Sequence, residues 1–222
     1  MPPGLVRLMP TKPDQVAAAA RLHAALLPQS VPAQLGEYFM RKFYFTKLVE
    51  MDRITCDLFE VEGEYVAFNV YTKYPDSFMR DGIRRHFLPL AVVAARTFAS
   101  DPRRLRAVAD LLRKSAQLGD DGAARAGYWL TFGVLESFRR VKIDERGTRI
   151  SGALVSAMLD SFRAEGFDRV DGAVERTNKS AIFFYHACGF AIRDPGHGDD
   201  LYIHFDLATD SSRRENPTRG RP

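Results

Sequence analysis

The chain has 222 residues, 45% of them hydrophobic and 27% charged, which is enough apolar content for a full buried core in one large domain. A net charge of +4 and a pI near 9.1 lean toward anionic ligands, but the cations are spread along the chain and partly gathered in its tail, which is poor evidence for a nucleic-acid surface. No apolar run reaches the roughly 18 residues of a membrane span, so the chain reads as soluble, with no membrane partner. In chain order, Leu5 to Met9 reads as a short strand. Pro13 to Leu27 carries Val16, Ala20, Leu22, His23 and Leu26 at helical spacing after a start signal at Thr11 to Pro13. Pro32 to Leu48 places Leu35, Tyr38, Phe39, Phe43 and Tyr44 on one aromatic helical face suited to packing on a sheet. Ile54 to Val61 and Glu64 to Thr72 flank Glu62-Gly63, the pattern of a β-hairpin.

From about Asp76 to Gln117, apolar residues recur at helical intervals on both sides of Ser100-Asp101-Pro102. This predicts a two-helix insertion over about 76–118 whose polar side, with Arg80, Arg84, Arg85, Arg103, Arg104, Arg106, Arg113 and Lys114, is either a solvated face or an anion-binding lid. Tyr128 to Leu135 is aromatic and β-branched enough for a central strand, and Arg146 to Glu165 reads as a helix stopped by Gly166. Arg169 to Val174 is a further strand and Asn178 to Cys188 a short helix. Phe190 to Arg193 and Leu201 to Leu207 are two last strands across a turn with Pro195, Gly196 and Gly198. The expected organisation is one domain over residues 1–208, with 209–222 a polar, basic and disordered tail.

The two cysteines, Cys56 and Cys188, are too few for a disulfide framework and read as buried thiols. His23, His86, His186, His197 and His204 form no pair of ligand spacing, so no metal is expected. The opening M-P-P-G-L-V-R-L-M-P lacks the order of a secretory signal, and a cytoplasmic location is the default.

Two stretches carry chemistry. The run Asn178 to Phe190, N-K-S-A-I-F-F-Y-H-A-C-G-F, sets Asn178 and Tyr185 on one helical face about 10 Å apart, beside an apolar stripe of Ala181, Phe184 and Cys188. Between the strand ending near Leu135 and the helix from Arg146 lie Val134-Leu135-Glu136-Ser137-Phe138-Arg139-Arg140, then Val141 to Glu145, then Arg146-Gly147-Thr148-Arg149-Ile150-Ser151. A helix opening with short side chains exposes N–H groups that can wrap a diphosphate.

On these residues the chain resembles the GNAT superfamily of acyl-CoA-dependent N-acyltransferases. That family's pyrophosphate loop runs Arg or Gln, two residues, Gly, one residue, Gly or Ala, and Arg146 to Ser151 fill it with Arg149 and Ser151 where glycine is usual. The order of elements extends the resemblance over 128–207. It implies an α/β fold with a mixed, mostly antiparallel central sheet flanked by helices, and acetyl-CoA as co-substrate. It also implies a CoA grip from Val134, Leu135, Arg146, Gly147, Thr148, Arg149, Ile150 and Ser151, with Arg139, Arg140 or Lys142 either adding to it or merely exposed. The strand before the loop is implied to splay from its parallel neighbour and bond the pantetheine arm near Val134 and Leu135. A backbone N–H from about Leu135 would polarise the thioester carbonyl.

By the same resemblance Asn178 bonds the pantetheine arm and Tyr185 is the general acid that protonates the departing thiolate. Glu136 and Glu175 are the carboxylates offered as base, each with surface ion pairing as its alternative. Cys188 lies on the apolar stripe with no positioned histidine and is assigned to the core rather than to nucleophilic catalysis. The implied reaction is direct attack of a small-molecule primary amine, such as an amino sugar or nucleotide-linked amino sugar, on acetyl-CoA. Acetylation of a protein lysine or α-amine, and a non-catalytic acyl-CoA-binding module, stay open beside it, as does a homodimer.

Overall fold

The computed structural model describes residues 3–85, 125–145 and 147–208. Seven strands form one mostly antiparallel sheet flanked by helices: β1 (Leu5–Arg7), β2 (Thr55–Val61), β3 (Glu64–Thr72), β4 (Ala126–Val134), β5 (Arg169–Glu175), β6 (Ala191–Arg193) and β7 (Asp200–Asp206). Their hydrogen-bonded order is β1-β2-β3-β4-β5-β7-β6. The chain divides into two compact units, Met1–Asp120 with Thr131–Leu154 and Asp121–Leu130 with Val155–Pro222.

In the first unit β1 pairs antiparallel with β2, and β2 with β3. The hairpin turn holds Glu62 at φ 51° and Gly63 at φ 84°, the doubly left-handed pair that matches the right-handed twist of adjoining strands. A Cβ on Gly63 would meet nothing within 4 Å, so Gly63→Ala tests backbone conformation alone. It is expected to cost about 1 kcal/mol in denaturant unfolding; an unchanged midpoint would count against a rigid turn here.

Helix α1 (Pro13–Leu26) starts with proline at its first position, where the missing N–H costs nothing, and buries Val16, Ala19, Ala20, Leu22 and His23. The single helix expected over Pro32 to Leu48 is instead four short pieces: α2 (Val31–Gln34), α3 (Glu37–Phe39), a π-helical turn (Met40–Tyr44) and α4 (Lys47–Glu50). Gly36, at φ 91°, breaks the first from the second. The wider π turn then lets the consecutive Phe43, Tyr44 and Phe45 all reach the core, which one regular helical face does not allow. Tyr38, expected on the buried face, is 48% exposed.

A buried polar group ties β1, β2 and β3 together. The Asp57 carboxylate accepts from Arg7 Nε and, at 3.1 Å, from the Tyr71 hydroxyl. Of the predicted insertion, helix α5 (Phe78–Arg85) is seen, with Gly82 so close to Leu48 and Phe43 that a Cβ would lie 2.3 Å from Leu48 Cδ2. The rest of the insertion, and the predicted tail beyond 208, lie outside the described residues.

In the second unit β4 runs parallel to β5, β5 antiparallel to β7, and β7 antiparallel to β6. Trp129, Phe162, Phe167, Phe190 and Phe205 fill its core. Gly127 makes room for this packing, since a Cβ there would sit 2.2 Å from the Phe162 ring. Helix α6 (Ile150–Ala164) begins in the first unit and ends in the second. Its stop at Gly166 is as expected: Gly166 takes φ 72°, and Phe167 N–H returns to the Phe162 carbonyl at 3.0 Å.

Candidate functional site

In the first unit, the segment after β4 is held by one hydrogen bond to β3 and by several local ones. Val134 is buried, and its carbonyl accepts from Arg139 Nε at 3.3 Å. Leu135 donates its N–H to the Val66 carbonyl at 2.9 Å. That donor is committed within the sheet, which corrects the expectation that it polarises a thioester carbonyl. Glu136 opens a 3-10 turn (Glu136–Phe138) and is exposed.

The expected start of the long helix at Arg146 also needs correction. Lys142 and Arg149 form an antiparallel bridge, and Ile143 N–H reaches the Thr148 carbonyl at 2.8 Å, which closes a small hairpin over these residues. Gly147 sits at φ 79°, a conformation that stops a helix from forming through it. Helical bonding therefore begins only with Ala153 N–H to the Arg149 carbonyl, and α6 opens at Ile150.

This changes which amides are open to a ligand. Gly147 N–H is donated to the Asp144 carbonyl at 3.1 Å and Thr148 N–H to the Asp144 carboxylate at 2.8 Å. The first helical turn, Ile150 to Gly152, has no carbonyl one turn earlier within the helix. A Cβ on Gly152 would touch only Thr148 Cγ2, at 4.0 Å, so the backbone there is open to close approach. Ser151 is half-buried. Arg140, Lys142 and Arg149 are exposed, and none has an acidic partner among the described residues. Arg146 lies outside the described residues.

In the second unit, α7 (Lys179–Ala187) carries the other predicted residues. Asn178 is not inside the helix but caps it: its Oδ1 accepts the Ala181 N–H at 3.1 Å, which leaves the amide NH₂ as a donor. Tyr185 is half-buried, edge-on to Trp129 with ring centroids 5.0 Å apart and within 6.0 Å of Phe190. Its hydroxyl has no hydrogen-bond partner among the described residues. Burial, with a smaller contribution from Cys188, pushes the phenol up to about 12, so it keeps its proton at neutral pH. Burial also pushes the Cys188 thiol up to about 11, the wrong direction for a nucleophile. Cys188 is half-buried rather than sealed in the core.

The parallel ladder between β4 and β5 runs from Ala126↔Arg169 to Trp129↔Gly172, whereas β5 continues to Glu175, paired there with Asp200 of β7. Glu175 is exposed at that end.

One polar group has no local sequence signature. Asp171 on β5 lies directly opposite His204 on β7, with His204 Nδ1 2.9 Å from Asp171 Oδ1 and Arg169 Nε 2.9 Å from Asp171 Oδ2. The Tyr128 phenol, on the neighbouring strand, is held well above its usual range by burial and then by Tyr202, Asp200, Asp171 and Tyr185. Alternation along each strand hints at which of these residues share a face. Their register, which makes them neighbours, cannot be read from sequence. Among the described residues no three metal-ligating side chains come together, and no helix is long and apolar enough to cross a membrane.

Neither a protein-family model nor a curated protein matches the chain. Solved structures do. SsHAT is similar over 92% of this chain and 99% of its own, at 20% identity and a TM-score of 0.62. The PaiA N-acetyltransferase of Thermoplasma acidophilum, solved with coenzyme A, matches over 91% and 98% at 11% identity and a TM-score of 0.51. An acetyltransferase structure of the GNAT family from Desulfovibrio desulfuricans covers 91% and 98% at 10% identity and a TM-score of 0.50. Identities this low speak to architecture alone, and on that architecture, with its parallel β4–β5 ladder and the helix α6 between those strands, the chain has a GNAT-like fold.

Proposed function

We propose that this protein is an N-acetyltransferase that moves the acetyl group of acetyl-CoA to the primary amine of a small molecule by direct attack. The observation that carries the reading is in the second unit. The β4–β5 ladder stops at Trp129↔Gly172 while β5 continues, and the Tyr185 phenol lies against Trp129 with its hydroxyl free of any partner among the described residues. A strand edge left without its parallel neighbour has N–H and C=O groups to offer an extended amide-bearing arm such as pantetheine. Tyr185 then donates its proton to the departing thiolate, and the Asn178 amide NH₂ bonds the arm.

Within the first unit, the amides of Ile150, Ser151 and Gly152 and the exposed cations Arg140, Lys142 and Arg149 suit a diphosphate, with Gly147 and Thr148 shaping the loop before them; Arg146, named by the motif, is proposed to add charge. Val134 and Leu135 contribute by position, since the Leu135 N–H is engaged. In this scheme Arg149 supplies charge where a glycine would supply only closeness.

Calorimetry with acetyl-CoA, followed by a CoA-release assay against a panel of amines, tests the proposal. Arg149→Ala is expected to weaken acetyl-CoA binding by about two- to fivefold, the range for one exposed ion pair, and to leave the rate at saturation unchanged. Absence of acetyl-CoA binding by the wild type sinks the reading. Transfer to peptide amines alone would move the acceptor to protein.

A further inference from the structure

Asn178, whose amide NH₂ is proposed to bond the arm of acetyl-CoA, ends a four-residue turn that follows β5 in the second unit. Asn178 N–H reaches the Glu175 carbonyl at 2.9 Å, and Lys179 N–H the Thr177 carbonyl at 2.9 Å. Asn178 Oδ1 is spent on the Ala181 N–H, so the direction in which the NH₂ points follows the placement of this turn.

The turn is fixed from outside. Glu175 is held where it pairs with Asp200 of β7. Arg176, the next residue, is held at three points. Its N–H reaches the Asp199 carbonyl at 2.8 Å, and its guanidinium grips Asp194 with both terminal nitrogens, Nη1 to Oδ2 and Nη2 to Oδ1, the second at 2.7 Å. Asp194 and Asp199 begin and end the loop between β6 and β7, so Arg176 clasps that loop at both of its ends. Asp194 Oδ1 also accepts the Gly196 N–H at 2.8 Å, which folds the loop back on the same carboxylate.

We propose that Arg176, through its clasp on Asp194, is the positioning residue that sets the Asn178 amide toward the pantetheine arm, an inference that rests on the acetyltransferase reading. Both terminal nitrogens of Arg176 are committed to Asp194, so its effect on acetyl-CoA passes through the turn. A two-bonded fork fixes a guanidinium far more closely than a single contact does. Holding the turn in one conformation beforehand removes freedom that the chain would otherwise lose when the arm binds. The Arg176 guanidinium, and then the Gly196 N–H, hold the Asp194 carboxyl well below the usual carboxylate range, so the pair stays charged at ordinary assay pH.

Calorimetric acetyl-CoA affinities of a small set of variants test the assignment. The Arg176 and Asp194 side chains are 41% and 52% exposed, which keeps the effect modest. Arg176→Ala is expected to weaken binding by about two- to fivefold, and Asp194→Ala, on the far side of the clasp, by the same factor. Asn178→Ser keeps a capping oxygen but has no amide to offer the arm, and it should weaken binding on its own. Added to Asn178→Ser, Arg176→Ala should change affinity by less than about 1.5-fold, because nothing is left to position. An equal loss with and without the Asn178 amide would make Arg176 a separate contact or a structural residue and overturn the assignment. Wild-type affinity in both Arg176→Ala and Asp194→Ala, or in Asn178→Ser, would overturn it as well. A wild type that fails to bind acetyl-CoA instead overturns the functional reading on which the assignment stands.

Discussion

Tyr185→Phe is expected to lower kcat for acetyl transfer by roughly 10²–10⁴-fold while changing acetyl-CoA affinity by less than about twofold, because only a proton donor is removed. The ring's packing survives the substitution. Its contacts with Trp129 and Phe190 are aromatic, and its hydroxyl has no hydrogen-bond partner to lose among the described residues. Stability should therefore stay within about 0.5 kcal/mol, which separates this substitution from one that perturbs the core. The raised phenol fits the role, since a group held protonated at neutral pH is ready to donate once the thiolate develops. Stopped-flow release of CoA with saturating amine measures the effect. If the Tyr185→Phe enzyme turns over at the wild-type rate, Tyr185 leaves the mechanism and is a packing residue.

Acid sensitivity of the fold is the second large effect, and it comes from one buried side chain. His23 is fully inaccessible, stacked on Phe68 at 5.3 Å and flanked edge-on by Tyr44 and Phe45. Its Nε2 lies 2.8 Å from Ser30 Oγ, while Nδ1 is buried without a partner. Burial drives its pKa down to about 4, so the native state holds a neutral ring. Below about pH 6.5 the unfolded chain binds a proton at His23 and the native chain does not, so stability falls with pH by up to about 1.4 kcal/mol per unit until about pH 4. The full loss is about 3 kcal/mol, and none of it is felt above neutrality. Carboxylates add their own acid dependence, so the clean measurement is the difference between wild type and His23→Leu in urea unfolding at about pH 7 and about pH 4.5. The variant should be the less stable at neutral pH, through the lost Ser30 bond and ring contacts, and the gap should narrow or reverse in acid. Parallel curves would show that His23 does not couple to the proton.

The hairpin at Glu62-Gly63, the helix from Pro13 and the stop at Gly166 were all legible in sequence. Each depends on a few adjacent residues whose backbone preferences are local: a glycine in the left-handed region, or a proline at a helix start. The aromatic stretch from Leu35 to Tyr44 was legible as core but not as geometry. Periodicity alone cannot reveal that Gly36 and a π turn would break one helix into several. The loop before α6 misled for a related reason, because the motif at Arg146 to Ser151 hides the Lys142–Arg149 bridge that delays the helix to Ile150.

By itself the sequence determined the strand and helix order over 128–207 and the identities of Asn178 and Tyr185 as residues worth testing, since a seven-residue spacing is a local property. Tertiary structure alone decided strand register and the fate of individual donors. Pairing across β5 and β7 made neighbours of Asp171 and His204, which lie far apart along the chain. Pairing with Val66 consumed the Leu135 N–H, whereas Gly147 and Thr148 spend theirs locally on Asp144. Hydrogen bonds between distant strands depend on how the whole sheet aligns, and a shift of one residue would have turned each of these side chains to the opposite face.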